Sequence, residues 1–121
     1  MNAQRLLILA KHLDKHVSPS EFDLVGWYYE TTCGTVACAC GHATMIPAFA
    51  ELGFRIVTLE GVMGPAYDLD FNGYRGWVAV GKFFDLCDAD AAYLFSVMEY
   101  PRNTGPREVA ARIEEFVKRT Q

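Results

Sequence analysis

The chain has 121 residues, 51% of them hydrophobic and 21% charged, with a formal net charge of −4. That size and balance suit one packed domain over the whole chain and exclude wholesale disorder. An acidic chain without a Lys/Arg run is a poor binder of nucleic-acid phosphates, and no stretch is long and apolar enough to span a membrane.

At the N-terminus, the apolar patch Leu6 to Ala10 is followed at once by Lys11, Asp14 and Lys15, with no small-residue cleavage site. It therefore reads as a helix and not as a signal peptide. The helix is expected from about Asn2 to His16, with Leu6, Leu9, Ala10, Leu13 and Val17 on one face. Ser18-Pro19-Ser20 breaks it. Glu21 to Thr32 reads as a loop rich in aromatics: Phe22, Trp27, Tyr28 and Tyr29. A second helix is expected from Val36 to about Met45, with Thr35 as its N-cap. Pro47 then starts a short helix, Ala48 to Leu52, which Gly53 ends.

Phe54 to Leu59 reads as a strand, and Gly61, Gly64 and Pro65 as a turn. Tyr67 to Phe71 alternates apolar and acidic residues, as a half-buried strand should. Asn72-Gly73 is a hairpin-turn signal. Tyr74 to Leu86 fits either a strand or a helix, and a helix from about Gly76 is favoured because Trp77, Val80 and Phe84 share a face. Asp88 is the expected N-cap of a helix over Ala89 to Glu99. Thr104 and Pro106 open a last helix to about Arg119, with Val109, Ile113, Phe116 and Val117 facing the core. The expected fold class is α+β, mostly helical with about five helices, and with a small β-hairpin or sheet inserted mid-chain.

The run Cys33-Gly34-Thr35-Val36-Ala37-Cys38-Ala39-Cys40-Gly41-His42-Ala43, followed by Ile46-Pro47, resembles a pattern in small bacteriophage and bacterial proteins of no established activity. Phe83 to Leu86, Tyr93 to Phe95 and Glu108 to Ile113 are similar to the second half of the same group. The resemblance implies a phage or mobile-element origin and no catalytic assignment. Proteins of that category often bind a host protein or a host signalling molecule.

Three readings attach to Cys33, Cys38, Cys40 and His42. Four soft ligands within ten residues invite zinc. In a helix, however, successive residues turn by about 100°, which sets Cys38 and Cys40 roughly 160° apart and leaves only Cys38 and His42 on one face. Cys33 before a helix N-terminus is a candidate thiolate nucleophile, with His42 as a distant base. The third reading is packing: Cys38 and His42 line a core stripe, Cys40 points away, small neighbours admit another element, and His42 pins the loop Trp27 to Thr32.

Other candidates carry weaker signals. His12 and His16 stand four apart on helix 1 and can pair on a metal. Asp68 and Asp70 alternate on one strand face, where their carboxylates could bind a cation or act as a pair, but paired acids on the wet face of a strand are usually just solvated. The helix after Asp88 lacks the basic and amide side chains that read bases. Trp27, Tyr28, Tyr29, Tyr74 and Trp77 come from loops and turns and are the candidate binding residues. The sequence thus reads as a cytoplasmic, non-enzymatic binding protein with no cofactor. Its partner is a host protein or small molecule, not nucleic acid or membrane, and a homodimer stays open. The thiol or zinc site is the alternative. Four cysteines without an export signal fit reduced thiols.

Overall fold

Helix α1 (Ala3–His16) forms where its apolar spacing demands, burying Leu6, Leu9, Ala10 and Leu13 on one stripe. The Asn2 side chain caps it by accepting the Arg5 N–H at 3.0 Å. The computed structural model describes residues 1–32, 34–61 and 64–121. Among the described residues are six α-helices and two small antiparallel sheets, an α+β and mostly helical fold.

The last helix, α6 (Pro106–Thr120), starts on a proline and lays Val109, Ile113, Phe116 and Val117 toward α1. Between these helices in sequence comes the larger sheet, ordered β3 (Arg55–Gly61), β4 (Gly64–Phe71), β5 (Tyr74–Arg75). Ile56 lies opposite Leu69, and Phe71 opposite Tyr74. Asn72 and Gly73 link the last two strands with φ of 53° and 86°, the positive values that the two-residue turn requires.

Helix α4 (Gly76–Phe84) follows β5 without a break and packs on β4, so the ambiguous segment is strand for two residues and helix thereafter. It ends at Asp85 in the left-handed region, and α5 (Asp88–Phe95) follows. Six of the eight phenylalanines, Phe49, Phe54, Phe71, Phe83, Phe84 and Phe95, make one ring cluster, with Phe54 stacked on Phe83 at 4.2 Å. That cluster ties α3 (Pro47–Glu51), the sheet, α4 and α5 into a single core.

Several boundaries differ from expectation: β4 takes in Gly64 and Pro65, expected as turn, because the strand pairs with β3 up to Gly61. The second helix does not begin at Val36. Gly34–Val36 is strand β2, paired with β1 (Tyr29–Thr31) inside the segment expected to be loop. The β-branched Thr31, Thr35 and Val36 suit that pairing. Helix α2 is only Ala39–Ala43, with Cys38 and not Thr35 as its cap. Likewise Cys87, not Asp88, occupies the N-cap position of α5, without a side-chain bond, and the helix stops at Phe95, where Ser96 turns the chain into a short 3-10 turn, Val97–Glu99.

Candidate functional site

Cys33 lies outside the described residues. Cys38 accepts the Gly41 N–H on its Sγ at 3.5 Å and donates its own N–H to the Gly26 carbonyl at 2.9 Å. All five residues of α2 are buried, so Cys40 does not point away from the core as a one-sided helix would have it. Burial pushes the Cys38 thiol up to about 11 and the Cys40 thiol well above its ordinary value. Thiols held protonated in this way are poor nucleophiles near neutral pH.

His42 is 5% exposed. Its Nε2 meets the Glu21 carbonyl at 2.6 Å, which requires the proton on that nitrogen, and its ring lies nearly parallel to Phe22. His42 therefore pins Glu21, and not the loop Trp27 to Thr32. That loop is held instead by the Cys38 N–H on Gly26 and by the close approach of Trp27 to Gly41. Desolvation lowers the His42 pKa, with the Glu21 carbonyl opposing. His12 and His16 lie 5.5 Å apart, and His12 is lowered by burial, then by His16 and His42. Among the described residues, no group of three His, Cys, Asp or Glu side chains is arranged to hold a metal ion.

The strand acids divide. Asp70 is 2% exposed, not solvated, because Arg75 and Arg55 reach its two oxygens at 2.8 and 3.1 Å. The Arg75 hydrogen bond, helped by Arg55, holds its carboxyl below the ordinary range. Asp68 accepts the N–H of Leu69 at 2.8 Å. The two carboxylates thus have separate partners.

The aromatic candidates separate into exposed and supporting residues. Trp27 meets Trp77 edge-on at 5.1 Å between ring centres, and Tyr28 meets Tyr67 at 4.7 Å. Tyr29, the first residue of β1, is engaged elsewhere: its hydroxyl donates to Asp23 at 2.8 Å. Tyr74 is exposed, with the Lys82 ammonium 5.1 Å from its ring centre. Trp77 is 42% exposed and Val78 beside it is exposed as well. The result is an aromatic face carried by β5 and α4 and backed by the 27–28 segment.

Beside Trp77 lies an open recess of about 230 Å³, lined by Trp77, Asp88, Ala91, Ala92 and Ser96. Asp88 also borders a second recess of about 310 Å³, shared with Val78, Lys82 and Asp85. Sequence reasoning missed this place because it read Asp88 as a cap. The available signal was the small pair Ala91-Ala92, which leaves room against a neighbouring indole. A wider cleft of about 380 Å³ lies between the 22–25 turn and the 97–104 connector. Its carboxylate, Asp23, already accepts from the Val25 N–H and the Tyr29 hydroxyl. No protein-family model, curated protein or solved structure matches the chain.

Proposed function

We propose that this chain is a small non-enzymatic binding protein that engages a partner protein through the face around Trp77. The observation that carries the reading is Trp77 itself: a half-exposed indole beside exposed Tyr74 and Val78, braced from behind by Trp27. Tryptophan and tyrosine dominate binding hot spots, and a braced side chain loses little conformational freedom when covered. The non-enzymatic part rests on the chemistry of the Cys–His run, in which Cys38 and Cys40 are buried and protonated and His42 is committed to a backbone carbonyl. The motif resemblance supports a phage or mobile-element type of protein acting on a host protein in the bacterial cytosol.

The test is affinity capture from bacterial lysate with the wild-type chain, Trp77→Ala and Val78→Glu, and with Tyr29→Phe as a control away from the face. The expected result is a partner retained by the wild type and by Tyr29→Phe, and reduced at least about tenfold by the two face variants. Equal recovery by all four contradicts the proposal.

A further inference from the structure

We infer that the partner seats a cationic side chain, of the arginine type, in the recess between Trp77 and α5, against Asp88. The inference rests on the reading of the Trp77 face as a binding surface and names the chemistry of what covers it. Of the residues lining that recess, Asp88 alone is formally charged; the others are an indole, two alanines and Ser96, whose hydroxyl already accepts the Met98 N–H. A partner with a flat apolar surface would leave this carboxylate covered and uncompensated, which disfavours binding. A partner that brings a cation compensates it.

Among the described residues, no cation pairs with Asp88. Asp70 is matched by two arginines, and Asp85 by the Met1 amino group at 3.1 Å. Lys82, the cation bordering the second recess, has its ammonium over the Tyr74 ring. The N-terminus of α5 accounts for an acidic residue at this position. It does not account for an exposed indole forming the adjoining wall. A guanidinium satisfies both surfaces at once, stacking on Trp77 and offering a two-pronged hydrogen-bond donor to Asp88. The net charge of −4 favours the approach of the same kind of partner.

The chain's only two tryptophans form the Trp27–Trp77 pair, so indole emission reports on the site directly. The probe is a capped peptide alternating arginine with alanine, titrated at low salt against wild type, Asp88→Asn and Asp88→Glu. Its citrulline counterpart keeps shape and removes charge. We expect saturable emission change with the arginine peptide, at least tenfold weaker binding by the citrulline peptide and by Asp88→Asn, and retention by Asp88→Glu. A urea melt of Asp88→Asn keeps loss of folding separate from loss of binding. Equal binding of the citrulline peptide, or unaltered binding by Asp88→Asn, overturns the cation seat. So does the absence of any saturable response, or concentration-dependent dimerisation that Trp77→Ala abolishes, since a second copy is then the occupant. The two readings fail separately: a captured partner that binds Asp88→Asn as tightly as wild type removes the seat and leaves the face. Capture insensitive to Trp77→Ala removes both.

Discussion

The backbone carbonyl of Trp27 lies directly over the Cα of Gly41, in the space a side chain at position 41 would fill. That contact brings the buried Cys–His helix and the exposed aromatic face into one arrangement. Where α2 passes beneath the 26–28 segment, even a methyl group would collide with the Trp27 carbonyl and come within 2.8 Å of the Ala37 methyl.

Gly41→Ala is therefore expected to destabilise the chain by about 3 kcal/mol or more, since the obstacle is backbone and cannot rotate away. Gly26→Ala, one residue before Trp27, meets only the Tyr29 ring at 3.4 Å. It should change stability by less than about 1 kcal/mol. Urea denaturation followed by tryptophan emission checks both. If the two variants prove equally mild, the packing account of Gly41 is wrong.

Acid sensitivity should trace to His42. Its folded pKa lies below the ordinary 6.5 because burial disfavours the imidazolium, and His12 is lowered in the same sense. The unfolded chain then binds more protons than the folded one below about pH 6.5, so stability falls as pH drops through that window and is fully present above it. A protonated His42 would face His12 and the Glu21 segment, where the Glu21 carboxylate gives partial compensation. The urea midpoint should decline between pH 6.5 and 5, and His42→Gln should flatten the decline at a lower overall stability. An unchanged slope in His42→Gln would assign the acid response to other groups.

How far the sequence foretold this arrangement depended on the kind of signal. Apolar periodicity located α1, α4 and α6 closely, because burial of a stripe is a repeating property. The Asn72-Gly73 turn was equally legible, because its chemistry is local. From Gly34 to His42 the burial of Cys38 and His42 was legible, but the strand, the late helix start and the segment that His42 holds were not, because they depend on distant partners: the Gly26 carbonyl that takes the Cys38 N–H, and the Glu21 carbonyl that takes the His42 proton. Trp27 and Trp77 could be named as aromatic candidates, but their meeting across 50 positions could not be read from spacing. Asp70 was taken for a wet strand acid because strand alternation says nothing of Arg55 and Arg75 closing over it.

The Asp70 cluster yields a second pH prediction of opposite origin. Its folded pKa is depressed, first by the Arg75 hydrogen bond and then by Arg55. The contribution is present above the unfolded carboxyl value of 3.8 and is lost as pH falls through the folded pKa. Asp70→Asn should lower the urea midpoint at pH 7, and the gap from wild type should close below pH 3.8. Arg75→Met should cost more than Arg55→Met, because Arg75 makes the shorter bond. A gap that persists undiminished at pH 3 would show that charge is not what Asp70 contributes.

Thiol chemistry separates the binding account from a reactive-cysteine account. Cys87 is exposed, whereas Cys38 and Cys40 are buried. In the native chain at pH 8, iodoacetamide should label Cys87 rapidly and reach Cys38 and Cys40 only at the rate of unfolding, as mass spectrometry of digests would show. Fast native labelling of Cys38 would contradict the thiol burial on which the non-enzymatic reading rests.

The central claim is that the face around Trp77 is where a partner lands. Site-specific photo-crosslinking tests it most directly, with a benzophenone side chain placed at exposed Val78 on α4 or at exposed Glu115 on α6. In bacterial lysate, position 78 should give a discrete adduct that excess unlabelled wild-type chain competes away and excess Trp77→Ala does not, while position 115 gives none. Adducts of equal yield at both positions, or adducts at 78 that Trp77→Ala competes as well as the wild type does, would contradict the claim.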